Sequence, residues 1–111
     1  HFASDQISIR VDDLGVITRI MASLRASVPV TFGATEVLDV DDLASGDIEG
    51  MPASDVLRFR LEGGARVVVR PSGTEPKLKA YLDVRGDTSA DASAQVADLA
   101  AAVRALLNER A

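Results

Sequence analysis

The chain has 111 residues, 47% of them hydrophobic, with no cysteine and a net charge of −5. That length predicts a single domain over residues 1–111 with one modest core, and the apolar fraction excludes disorder. The missing cysteine excludes disulfides, thiolate metal sites and a cysteine nucleophile, and the negative balance argues against a general nucleic-acid binder.

No apolar run approaches the ~18 residues of a membrane span, and no basic stretch followed by an apolar one opens the chain. No membrane partner is expected, and a cytoplasmic location fits. The first residue is His1 rather than methionine, which suggests a fragment or a processed chain, with His1 in a disordered end.

Ile7, Ile9 and Val11 alternate with Gln6, Ser8 and Arg10, which predicts a half-buried strand. Asp12 or Asp13 offers an N-cap. Leu14, Ile17, Ile20, Met21 and Leu24 follow at helical spacing, Arg25 suits the last turn, and Pro29 ends the element. Residues 34–40 read as a strand. Residues 41–54, with Gly46, Gly50 and Pro52, read as a loop.

Leu57, Phe59 and Leu61 alternate with Arg58 and Arg60, Gly63-Gly64 signals a hairpin, and residues 66–70 form the returning strand. Leu78, Ala80, Leu82 and Val84 define the last strand, with Lys79, Tyr81 and Asp83 on its other side. Thr88, Ser89 or Asp91 caps a final alanine-rich helix whose apolar face is Val96, Leu99, Val103, Leu106 and Leu107. The order β-α-β-β-β-β-α with hairpin-linked strands predicts an α+β two-layer sandwich, a mostly antiparallel sheet covered by two helices.

Charge is unevenly placed. Residues 26–57 contain no Lys or Arg, while Glu36, Asp39, Asp41, Asp42, Asp47, Glu49 and Asp55 fall there. Residues 58–85 reverse the balance, with Arg58, Arg60, Arg66, Arg70, Lys77, Lys79 and Arg85 against Glu62, Glu75 and Asp83.

Inside the basic half stands VVVRPSGTEPKLKAYLDV, residues 67–84. Pro71 fixes its own φ and lacks a donor, and Gly73 takes positive φ without strain. The turn they allow can aim successive amide N–H groups at one point, an anion nest. Ser72 and Thr74 add hydroxyls, Arg70 adds a planar fork, and Lys77 or Lys79 adds point charge. R-P-S-G is equally what an ordinary type I turn prefers, and on the residues alone both readings stand. The DVDD string at 39–42 has acids at the wrong spacing for a metal site and reads as solvated charge in a loop flank.

The string Arg70-Pro71-Ser72-Gly73-Thr74-Glu75-Pro76-Lys77 resembles the phosphate-binding loop in the C-terminal domain of the α-D-phosphohexomutases. The continuation Leu78-Lys79-Ala80-Tyr81 is most similar to the phosphoglucomutase/phosphomannomutase branch. The start DQISIRVDD, the hairpin and the alanine-rich helix resemble that domain too.

The resemblance implies a TATA-box-binding-protein-like fold and a parent enzyme, an isomerase of the phosphotransferase type in carbohydrate metabolism. That enzyme interconverts hexose 1-phosphate and 6-phosphate through a phosphoserine, a bisphosphate intermediate and a bound magnesium ion. It implies phosphate contacts at Arg70, Ser72, Gly73 and Thr74, with Lys77 and Lys79 as further candidates, and a loop-shaping role for Glu75.

The chain has neither a serine in a Ser-His-Asn context nor an Asp-x-Asp-x-Asp string. It therefore reads as the phosphate-holding part of a larger enzyme and contributes no catalytic or metal residue. Its expected partners are a phosphosugar and the parent's other domains. Mannose, glucose, glucosamine and ribose phosphates remain open, in that order. The alternatives are a stand-alone anion- or nucleic-acid-binding α+β module and a purely structural interaction domain.

Overall fold

A computed structural model describes residues 1–43 and 55–111. In chain order the elements are β1 (Phe2–Arg10), α1 (Leu14–Ala26), β2 (Thr31–Phe32), β3 (Thr35–Asp42), β4 (Leu57–Leu61), β5 (Arg66–Pro71), β6 (Lys77–Arg85) and α2 (Ser89–Glu109). The described strands form an antiparallel sheet in the order β1-β6-β5-β4-β3-β2. Both helices bury apolar residues in one core with the sheet, and no described helix covers the other sheet face. This is the two-layer α+β sandwich that the hydrophobic periods call for.

Local signals set the helix ends. The Asp13 carboxylate accepts from the Val16 N–H at 3.2 Å and so caps α1. The Thr88 hydroxyl caps α2 by accepting from the Asp91 N–H at 3.0 Å. The C-terminal end of α1 gains a donor from far away in sequence: Arg110 Nη1 donates to Ser23 O at 3.0 Å, which also accepts from the Ser27 N–H, and to O of the capping Ser27 at 2.8 Å. Gly86 lies where β6 turns into α2, and a Cβ there would stand 2.6 Å from the Ala92 nitrogen. Only glycine permits that approach.

The core is made by alternation on the strands and by the apolar stripes of the helices. Phe59, Val67, Val69, Leu78, Ala80 and Leu82 are fully or almost fully buried, as are Ile20, Met21, Leu24, Val103 and Leu107 of the helices. Phe32 and Phe59 meet edge to face with ring centroids 5.4 Å apart. Fully burying one such side chain stabilises the fold by about 1.5–3 kcal/mol.

Several expectations need correction. β1 starts at Phe2, five residues before the alternation becomes visible, because it pairs with β6 along its full length from Phe2↔Arg85 to Arg10↔Lys77. His1 is tied to Gly86 by two backbone hydrogen bonds, 2.8 and 3.0 Å, so that end is anchored. The short strand β2 carries no alternation to read and exists by pairing with β3. The DVDD acids lie in β3, not in a loop flank. Of the expected loop, residues 44–54, with Asp47 and Glu49, lie outside the described residues.

Asp83 ties β6 to both neighbours. Its carboxylate accepts from the Ser4 hydroxyl at 2.7 Å and from Arg66 Nη2 at 3.0 Å. The Ser4 hydrogen bond, and after it the Arg66 contact, hold its pKa below the ordinary 3.8. A carboxylate depressed in the folded state stabilises above its unfolded pKa and stops doing so as pH falls through the folded value. Urea unfolding of wild type and Ser4→Ala should therefore converge as pH is lowered below the ordinary carboxylate value of 3.8, with the wild-type advantage complete only above it.

Candidate functional site: an uncompensated cation pair beside a glycine loop

Register decides where the charges stand. Leu78, Ala80, Leu82 and Val84 are buried against the helices, so Lys77, Lys79, Tyr81 and Asp83 project from the uncovered face. Pairing on both sides of β6 then builds rows across that face. One row runs Ser4, Asp83, Arg66, Arg60, Asp39, and the next Gln6, Tyr81, Val68, Arg58, Asp41. A third contains Ser8, Lys79 and Arg70.

The first two rows are internally neutralised. Arg58 donates to Asp41 through Nε at 3.1 Å and Nη2 at 2.9 Å. Arg60 reaches Asp39 at 3.1 Å and Asp41 at 2.8 Å. Arg66 reaches Asp83. Arg25 holds Asp42 at 2.9 Å and Asp55 at 2.6 Å. The acids of DVDD are thus held by arginines.

The third row differs. Arg70 and Lys79 are directly opposite each other, and among the described residues neither has a carboxylate within ion-pair distance. Like charges directly opposite across strands are destabilising. A bound anion would remove that repulsion.

The loop beside this pair joins β5 to β6. The Ser72 N–H donates to Lys77 O at 3.0 Å, and the Lys77 N–H donates to Glu75 O at 2.7 Å. Pro76 O accepts from the Val11 N–H at 2.9 Å, which fastens the loop to the end of β1. The Gly73, Thr74 and Glu75 N–H groups have no acceptor among the described residues. No bond from Gly73 N–H to Arg70 O closes an ordinary four-residue turn. Gly73 has φ +94° and open space where a Cβ would stand. Its glycine is required for backbone conformation and not for close packing.

The six residues singled out in the sequence therefore divide. Arg70, Gly73 and Thr74 are exposed at one end of the sheet, with Ser72 and Lys79 half-buried beside them. Lys77 is also at this end, but its ammonium is 3.8 Å from Glu75 Oε2. The Ser72 amide is already engaged, which leaves its hydroxyl. A residue unmarked in the sequence joins the group: Arg10 of β1 sits opposite Lys77 and reaches the same Glu75 oxygen at 3.3 Å. Its only local signal was a place on the polar side of β1.

Chemically, this end of the sheet carries a planar guanidinium, an ammonium, two hydroxyls and backbone amides that have no acceptor among the described residues. It offers no nucleophile paired with a base. Among the described residues no cluster of three His, Asp or Glu side chains is placed to hold a metal ion. The fold and this end of the sheet define an α+β domain with a cation-lined, glycine-containing loop.

The chain belongs to the phosphoglucomutase/phosphomannomutase C-terminal domain family, whose model matches residues 26–106. It is 42% identical over 110 residues to a probable phosphomannomutase of Haemophilus influenzae, covering 99% of this chain and 22% of that protein. A probable phosphoribomutase of Schizosaccharomyces pombe is 30% identical over 91 residues, with 72% and 16% covered. A phosphoglucomutase of Staphylococcus haemolyticus is 31% identical over 81 residues, with 64% and 15% covered. The chain spans less than a quarter of the length of each.

Gly73→Ala tests the loop conformation. A side chain at positive φ should cost roughly 1–2 kcal/mol in urea unfolding, with amide shift changes confined to residues 71–77. Unchanged stability would mean that the loop does not hold Gly73 at positive φ in solution.

Proposed function

We propose that the chain is the phosphate-holding C-terminal domain of a phosphohexomutase that interconverts hexose 1-phosphate and 6-phosphate. The observation that carries this reading is the opposed Arg70–Lys79 pair, which among the described residues has no carboxylate partner and is joined by the loop whose Gly73 and Thr74 amides have no acceptor there. Arg70 gives a fork suited to two phosphate oxygens. Lys79 adds charge from the neighbouring strand. Ser72 and Thr74 hydroxyls and the Gly73 and Thr74 amides complete the contacts. Lys77 contributes through loop shape.

In the parent enzyme a phosphoserine passes its phosphoryl group to the sugar phosphate, and the resulting bisphosphate turns over before returning the other phosphoryl group. The loop holds whichever phosphate is not in transfer. The intermediate must bind in two opposite orientations, so this contact should recognise the phosphate and disregard the asymmetry of the sugar. Amides, hydroxyls and a cation pair do that, since none requires a particular ring hydroxyl.

The phosphoserine belongs to other domains of the parent. So does the magnesium ion, which does not fit the described residues here: Asp39, Asp41 and Asp42 are bound to arginines. The probable phosphomannomutase matched over 99% of this chain supports a mannose phosphate as substrate, with glucose and ribose phosphates next. A nucleic-acid module finds less support: exposed Phe2 lies at the opposite end of β1, against Arg85 at 5.2 Å, and so provides no stacking surface beside Arg70.

Kinetics of the parent enzyme test the assignment. Loss of a charge-assisted contact costs roughly 1.5–3 kcal/mol, so Arg70→Ala should lower kcat/KM about tenfold to a hundredfold, with part of the loss in kcat. Arg70→Lys should recover only part, because it keeps the charge and loses the fork. Arg58→Ala should leave kcat/KM near wild type, since Arg58 serves Asp41. The 111-residue chain alone should convert no glucose 1-phosphate. An unchanged kcat/KM for Arg70→Ala with the fold intact by circular dichroism would return the loop to an ordinary turn.

A further inference from the structure

Two like-charged pairs lie side by side on the uncovered sheet face: Arg10 opposite Lys77, and Arg70 opposite Lys79. Lys77 and Lys79 are two residues apart on β6, about 7 Å along the strand. The pairs share chemistry and differ in one respect. The first encloses a carboxylate oxygen, Glu75 Oε2, at 3.3 Å from Arg10 and 3.8 Å from Lys77. The second has no carboxylate among the described residues.

Glu75 is a member of the loop itself, two positions from Gly73. Its carboxylate is the nearest competitor in sequence for any anion arriving at Arg70. Its backbone is restricted by Pro76, which disfavours helical φ/ψ at the preceding residue, and its carbonyl accepts from the Lys77 N–H. The direction in which its side chain rests is then set by the cations around it. Lys77 is the more buried of the two, with its side chain 18% exposed, whereas Arg10 is 69% exposed and comes from a different strand.

We propose that Arg10 is a positioning residue for the anion site: with Lys77 it holds the Glu75 carboxylate on the β1 side of the loop, leaving Arg70 and Lys79 to an external phosphate. This role rests on the phosphate-holding reading above. It also accounts for an acidic residue within a phosphate loop. Glu75 fills the Arg10–Lys77 pair, so that the end of the sheet presents one anion site instead of two. Because Arg10 is largely exposed, its ion pair is screened and modest in strength. The effect of losing it is a change of a few fold in affinity, largest at low ionic strength.

The test is a double-mutant cycle on the 111-residue chain, with inorganic phosphate as probe at low salt and the Gly73 and Thr74 amide resonances as readout. Arg10→Ala should weaken binding about twofold to fivefold, within the range of exposed ion pairs, and Arg10→Lys should weaken it less. Glu75→Gln should strengthen binding more in the Arg10→Ala background than in wild type, because only there is the carboxylate released towards Arg70. An equal factor in the two backgrounds overturns the proposal, since independent charges behave that way. So does unchanged affinity in Arg10→Ala. No wild-type response at Gly73 or Thr74 rejects the phosphate reading and this role with it, whereas a wild-type response with an additive cycle rejects this role alone.

Discussion

The register of β6 between β1 and β5 is the constraint on which the site depends. A shift by one residue would send Leu78, Ala80, Leu82 and Val84 into water and the lysines into the core. Burial of four apolar side chains therefore fixes, as a by-product, which cations face each other. Lys77 falls opposite Arg10, and Lys79 opposite Arg70. Neither arrangement is favourable by itself. The fold tolerates them because hydrophobic burial of that strand outweighs repulsion between partly screened surface charges. The core thus holds two cation pairs at one end of the sheet, of which Glu75 neutralises the Arg10–Lys77 pair.

The rest of the uncovered face shows what compensation looks like here. Asp39, Asp41 and Asp83 are each bound to an arginine of that face, so Arg58 and Arg60 of the basic stretch cancel Asp39 and Asp41 of the acidic stretch across strands. Against that background the bare Arg70–Lys79 pair is meaningful in a way that a count of charges is not. The chain is acidic as a whole, yet among the described residues Arg70 and Lys79 oppose each other without a carboxylate partner, on the strands that the Gly73 loop joins.

Most of the architecture was legible because it rests on local patterns. The alternation in Leu57–Leu61 and Lys77–Arg85, the helical spacing from Leu14 to Leu24, and the caps at Asp13 and Thr88 are written into short windows of chain. What escaped depended on distant partners. The Phe2 end of β1 carries no alternation, and β2 has too few residues to show any; both are strands only through their neighbours. The acids of DVDD resemble loop charge until Arg58 and Arg60 are placed across from them. The loop motif was readable as a string, but the engagement of the Ser72 amide, the difference between Lys77 and Lys79, and the contribution of Arg10 follow from register alone.

The central claim is that an external anion sits between Arg70 and Lys79, over the Gly73 and Thr74 amides. Tungstate is a tetrahedral oxyanion that anomalous scattering locates directly. In crystals of the 111-residue chain soaked with it, the account predicts the strongest peak between those two cations, with oxygens within about 3 Å of the Gly73 and Thr74 nitrogens. A strongest peak at Arg10 and Lys77 with Glu75 displaced, or at a helix surface remote from the loop, would contradict it.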